Sequence, residues 1–328
     1  MQNQDNIDNI YNIIQFLRND GSSKYYRVRN VNNNTEYMAK VFTKNENKFQ
    51  HEFQMTTKAS NLNNPYIIHL YNHGTGTITR GANVQNNKNY LILDYYSKGD
   101  LLKYCKAGGR FSEKHAKVIF LKILNGVRAL HGAGICHRAL ALANIFLDQH
   151  FNPRICDFSV STLFQGNNGI INLNDLVGFV NYASPQIFQN KTYNGPKADI
   201  FSLGVILFNL VVGQIGFEQA VIQDNLYKLI IRNEIDTYWK VSNIEKLNLN
   251  LSQEFKNLYI RMISYNENNR PTIDQILNDK WFNGLRGLNN DQLNQIEDEV
   301  RNEFLTRENL VQEIQLHLQN NLEDEEDA

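Results

Sequence analysis

Near Gly99 the apolar residues of this chain stop alternating and begin to recur every three to four positions, and that switch restricts what it can fold into. Upstream, IIQFLR, KYYRVR, EYMAKVF and NYLILDY are short runs rich in β-branched and aromatic residues. Turn-forming stretches such as NDGSS and NVNNNT separate them, so they predict strands joined by tight connections. One helical pattern, from about Asn47 to Ser60, interrupts them. Downstream, EKHAKVIFLKILNGVRALHGAG and PKADIFSLGVILFNLVV carry apolar residues at helical spacing. The pattern predicts an α+β chain, with a small β-rich lobe (about 11–93) ahead of a larger helical lobe (about 94–286). The 328 residues suffice for both cores, and no internal repeat points to a solenoid.

A third segment, 287–328, has its own texture. Leu293, Ile296, Val300, Phe304, Val311, Ile314 and Leu318 share one face of an amphipathic helix predicted over 290–320. Arg307 interrupts the stripe, and the acidic run EDEEDA that follows is expected to be disordered. Such a stripe has to be buried, either on the chain's own lobe or against a protein partner through the 290–318 helix. Both options stay open at this stage. Lys+Arg 33 against Asp+Glu 34 gives a net charge of −1, which leaves no electrostatic case for nucleic acid or a membrane as partner. The polar start MQNQDNIDNI does not read as a signal sequence, and no apolar run reads as a membrane span. Cys105, Cys136 and Cys156 lack metal-ligand spacing and are expected to be small core residues in a reducing cytosol.

Short motifs then follow one another in a set order. Lys40 lies in the strand-like YMAKVF and Glu52 in the helical QHEFQM. His137, Arg138 and Asn144 belong to HRALALAN, Asp157 opens DFS, and SPQ spans 184–186. DIFSLG occupies 199–204, and Arg270 lies in NNRPTIDQIL. In this order they resemble the eukaryotic protein kinase family over about Tyr11 to Leu285. The resemblance implies a bilobal protein-kinase-like fold. It implies that Lys40 stands at the strand lysine that holds the α- and β-phosphates, with Glu52 as its helix-borne partner. Asn144 and Asp157 would stand at the Mg²⁺ positions. The link from Glu52 to Pro65 is longer than the family's helix-to-strand connection.

The resemblance also exposes losses. Kinases position two substrates and stabilise spread-out phosphate charge, and each device for that can be inspected. Arg18, Asp20 and Ser23 stand at the three positions of the glycine-rich loop, where Asp20 is expected to face the phosphates with like charge. Ala139 replaces the general base, a loss of about 10²–10⁴ in rate. Ala141 replaces the loop lysine, where one electrostatic contact contributes about 10²–10³. Ser159 replaces the glycine of DFG, Phe179 a threonine, and Gln186 the glutamate that pairs with Arg270. His137 and Arg138 are retained, but no Ser or Thr between Gly166 and Gly178 offers Arg138 a phosphate.

Side chains alternate along a strand, so Met38 faces the same way as Lys40. By the resemblance Met38 stands at a small alanine against adenine, Tyr25 at the valine above it and Phe146 at the leucine below. Interiors do not keep voids, so these three are expected to fill the slot. The expected cofactor is none, with weak Mg-ATP binding as the alternative. The leading expectation is a pseudokinase working as scaffold, allosteric partner or assembly subunit. The alternatives are a divergent ATP-dependent Ser/Thr kinase and a structural component of a cytoskeletal or ciliary assembly. The expected location is cytoplasmic, with a cytoskeletal or ciliary post as the variant.

Overall fold

The computed structural model describes residues 5–43, 46–164, 170–171, 177–189, 192–242 and 249–326, with backbone alone for 170–171 and 315–326. The GNNG loop and the side chain of Leu318 lie outside the described residues. The upstream runs form β1 (Asn6–Ile7), β2 (Tyr11–Asn19), β3 (Ser23–Asn30), β4 (Glu36–Phe42), β5 (Leu70–Arg80) and β6 (Asn83–Asp94). Helix α1 (Glu46–Ser60) follows β4. The strands pair antiparallel in the order β1-β2-β3-β4-β6-β5, and β1 also pairs with β5, closing a barrel.

Strand β5 was not among the expected strands, because the glycines of LYNHGTGTITR blank out its alternation. Both glycines serve close approaches. A Cβ at Gly76 would fall 1.9 Å from the Asp8 carboxylate, and one at Gly74 would fall 2.8 Å from the Tyr90 hydroxyl. Asp8 uses that space to accept from the Thr77 N–H at 2.6 Å and the Tyr90 hydroxyl at 2.9 Å, tying β1 to the β5–β6 hairpin. Inside the barrel, Ile7, Tyr26, Val28, Ala39, Ile78 and Ile92 form a core of their own. The opposite faces of β3 and β4 carry Tyr25, Met38 and Lys40 toward the helical lobe.

That lobe holds α2 (Leu101–Gly108), α3 (Glu113–Gly132), β7 (Ile135–Cys136), β8 (Ile145–Leu147), β9 (Pro153–Ile155), β10 (Thr162–Leu163) and β11 (Ile170–Ile171). It continues with α4 (Pro185–Phe188), β12 (Tyr193–Asn194), α5 (Gly195–Val212), α6 (Tyr227–Ile231), α7 (Ile235–Val241), α8 (Gln253–Met262) and α9 (Ile273–Leu277). Asp100, Ser112 and Ser252 cap α2, α3 and α8 by accepting from backbone N–H groups of the first turn. Helix α5 corrects one expectation: by length and composition it could cross a membrane. In this fold it is the central core helix, with Phe201, Leu203, Ile206 and Phe208 fully buried. The three cysteines are buried and unbridged.

The last helix, α10 (Asn290–Glu326), lies on α2 and α3 and runs through the first four residues of the acidic run that was expected to be disordered. Ile296, Val300, Phe304 and Val311 are buried in the contact. Phe304 stacks on Phe151 at 5.2 Å and meets Tyr104 and Phe111 edge-on or tilted. Two positions differ from the sequence reading. Ile314, assigned to the apolar face, is exposed. Arg307, taken for an interruption, is buried at the centre of the contact. Its guanidinium donates to the carbonyls of Tyr104 at 3.1 Å, Gly109 at 2.8 Å and Arg110 at 2.5 Å, and covers the Phe111 ring at 3.6 Å. A cation thus sits among carbonyls at and just beyond the end of α2, where the helix dipole favours positive charge. Glu297, Glu299, Glu303 and Glu308 line the flank of α10 against Lys122, Lys114, His115 and Lys98.

Candidate functional site

The cleft between the lobes is built around one buried cation. Strand β4 presents Lys40, and the inward face of α1 presents Glu52, whose two oxygens lie 2.6 and 2.7 Å from the ammonium. The long link after Glu52 is taken up by the rest of α1 and the turn beyond it. Asp157 Oδ1 is 3.9 Å from the same nitrogen. Burial alone would lower the Lys40 pKa, but Glu52 and Asp157 outweigh it and hold the ammonium charged. Burial likewise opposes the charge on Asp157, and Lys40 and the Ser159 bonds outweigh it and keep its pKa below the ordinary value. Asp157 adopts a left-handed conformation, φ 68°, which short polar residues tolerate, and accepts from the Ser159 N–H.

Above this cluster the slot is plugged. Tyr25 is 2% exposed and sits in the cleft with Met38, Phe146, Leu93 and Ile68. The space left among them is about 30 Å³, roughly one water molecule and far below the 300–1,000 Å³ of an ordinary ligand site. The residues at the glycine positions secure the plug. Asp20 does not face the cleft as an isolated charge. Its Oδ1 accepts from the N–H groups of Ser22 and Ser23, and its Oδ2 accepts from the Tyr25 hydroxyl at 2.8 Å. The Arg18 guanidinium lies over the Tyr25 ring, 4.1 Å from its centre. Burial pushes the Tyr25 hydroxyl pKa up, so it stays a donor to Asp20. The NDGSS turn was legible as a turn, and an Asp two residues before backbone donors is its known device. The tie from Asp20 to Tyr25 depends on hairpin geometry and was not.

On the floor, the catalytic-type loop is closed by backbone. Ala139 and Ala141 are buried. Gly178, with φ 79°, lies so near that a Cβ there would meet the Arg138 carbonyl at 2.6 Å and Ala139 Cα at 3.3 Å. Asn144 donates from Nδ2 to the Ala139 carbonyl at 2.9 Å, tying the loop to itself. Asp199, the first residue of DIFSLG, organises the loop's entry, which its motif alone does not reveal. It accepts from the N–H groups of His137 and Arg138 at 2.9 Å each and from His131. His137 bonds through Nε2 to the Cys156 carbonyl at 3.0 Å, and its Nδ1 receives the Ala139 N–H at 3.3 Å. These partners assign the neutral Nε2–H tautomer, and burial lowers its pKa despite Asp199 and Asp157.

Arg138 is buried, donating to the Tyr193 hydroxyl at 2.8 Å and to the Val160 carbonyl at 3.2 Å. Where SPQ meets Arg270, Gln186 Oε1 accepts from the guanidinium at 2.7 Å, and the carbonyls of Ser264 and Lys197 accept at 2.9 and 3.0 Å. Arg270 therefore has neutral acceptors at all three of these contacts, and burial lowers its pKa to about 10.

Comparison with known proteins places this geometry. The family model described as protein kinase domain matches residues 11–282, ending before α10. NUAK family SNF1-like kinase 1 of Homo sapiens is 33% identical over 226 residues, which is 68% of this chain and 30% of that protein. CBL-interacting serine/threonine-protein kinase 26 of Arabidopsis thaliana is 32% identical over 222 residues, 67% of this chain and 46% of that protein. CBL-interacting protein kinase 10 of Oryza sativa subsp. japonica is 29% identical over 289 residues, 87% of this chain and 59% of that protein. The chain thus matches 30%, 46% and 59% of the length of these relatives.

Proposed function

The chain belongs to the protein kinase family, and from that premise we propose that it is a pseudokinase, a kinase fold that works through protein contacts and transfers no phosphate. The observation that carries this reading is the filled cleft, where about 30 Å³ remains beside Lys40. Two further features support it. Ala139 cannot act as a base, and the loop that bears it is covered by Gly178. Ala141 supplies no charge to a transferring group. The persistence of two well-packed lobes with an altered centre fits a scaffold or assembly subunit.

A second reading, a divergent ATP-dependent kinase, has one observation in its favour: Lys40, Glu52 and Asp157 remain assembled. Two measurements separate the readings. With Mg²⁺ or Mn²⁺ and ATP, the purified chain should give phosphotransfer indistinguishable from a Lys40→Ala control. Millimolar Mg-ATP should leave the melting temperature unchanged, because stabilisation follows RT ln(1 + [L]/Kd). In the Tyr25→Val/Met38→Ala variant, where the plug is trimmed and Lys40 and Asp157 remain, Mg-ATP should raise it. Lys40-dependent autophosphorylation of the unaltered chain would overturn the proposal.

A further inference from the structure

The barrel that carries the plug on one face has an opening on the other. The ladder between β4 and β6 ends at the pair Val41–Tyr90, while β6 begins at Asn83, so the start of β6 runs on past the end of β4. At that seam a cavity of about 450 Å³ remains, sharing no lining residue with the cleft. Barrel interiors of this size are normally filled by side chains, and barrel mouths are among the recurrent places for small ligands. The volume falls within the range of ordinary ligand sites.

The chemistry around the opening has a sign. Its floor is Tyr26 and Ile78, both buried side chains of the barrel core. Arg80 stands at the rim with its guanidinium 5.6 Å from the centre of the Tyr26 ring, and it pairs with Asp5 at 3.6 Å. Lys24 faces the same space from β3, and its ammonium has no hydrogen bond or ion pair among the described residues. Gln85 adds an amide from β6. Two cations against one carboxylate leave a net positive rim above the outer edge of the barrel core. We propose that this opening is a binding site for a small organic anion, of which a carboxylate on a compact body is the simplest case. The body of the anion occupies the opening, and its carboxylate meets Lys24 and Arg80 at the rim. The site stands on its own geometry and does not require the cleft to be empty or filled.

Titration calorimetry of the full chain tests it with naphthalene-2-carboxylate as probe and naphthalene-2-methanol as the neutral control. The carboxylate should bind saturably with one site, about tenfold or more tighter than the alcohol, as expected for a charge-assisted contact. The Lys24→Gln/Arg80→Gln variant should lose that preference. Lys24→Glu alone, which leaves the Arg80–Asp5 pair in place, should lose it as well. Tyr25→Val, which alters only the cleft, should bind the carboxylate like the unaltered chain. Absence of saturable binding at millimolar probe, equal affinity for the two probes, or loss of binding in Tyr25→Val would each overturn the proposal.

Discussion

The cleft and the catalytic-type loop depart in opposite directions from the pattern that the sequence resemblance implies. Against the family's pattern, the cleft has gained bulk: Arg18, Asp20 and Ser23 at glycine positions, Tyr25 and Met38 at smaller ones. The loop has lost it, with Ala139 and Ala141 in place of longer polar side chains. Both end closed, because an interior does not retain a gap of either origin. The cleft is closed by side chains that hold one another, Arg18 on Tyr25 and Tyr25 on Asp20. The loop is closed by the chain itself, at Gly178. Side chains can be trimmed one at a time, whereas backbone cannot, so the cleft should be recoverable by substitution and the loop should not.

The largest effect is expected at the charge both regions border. Lys40→Met strands the Glu52 carboxylate in the interior and should cost about 3–5 kcal/mol in urea unfolding, the usual penalty for breaking a buried pair. A loss below about 1 kcal/mol would mean that water reaches the cleft and that its closure is overstated. Next comes Ala139→Asp, which places a carboxylate under Gly178 and should cost about 1–3 kcal/mol by thermal denaturation while leaving phosphotransfer undetectable. Unchanged stability would break the contrast by showing the loop to be open.

Acid should separate the two regions further. His137 is held neutral in the fold, so its pKa lies below the unfolded value of 6.5. Between those two values the unfolded chain binds the proton and the folded chain does not. The stability that His137 contributes is therefore complete above pH 6.5 and falls as the pH drops, by at most about 1.4 kcal/mol per pH unit. His137→Gln should flatten the melting temperature between pH 7.5 and 5.5 relative to the parent; parallel curves would remove His137 from the account. The smallest effect belongs to Gln186→Glu, which gives Arg270 a charged acceptor and should add about 0.5–1.5 kcal/mol. A loss instead would show that the neutral network around Arg270 is the better-satisfied one.

Much of the fold was legible because period and motif order constrain the whole chain at once. The change of period near Gly99 separates the lobes, and Lys40, His137, Asn144 and Asp157 keep their order through it. The rest depended on distances that sequence does not carry. Asp20 reads as a loose charge until the β2–β3 turn brings it to Tyr25. Barrel closure rests on the two residues of β1, too short to give a pattern. Asp199 looks like one polar residue in an apolar helix until its carboxylate is seen to receive two backbone donors from the loop. Arg307 reads as a break in an apolar stripe because its partners are backbone carbonyls, which leave no trace in composition.

Arg307 also sets a timetable. Its bond to the Tyr104 carbonyl spans 203 residues of chain, and a ribosome adding about 5–20 residues per second finishes α2 on the order of ten seconds or more before that cap exists. Throughout that interval the Tyr104, Phe111 and Phe151 rings lack Phe304, and the end of α2 lacks its cation. The helical lobe is therefore completed only once α10 has left the exit tunnel. A nascent chain stalled before residue 290 should present that aromatic cluster to chaperones, and one released after α10 should not.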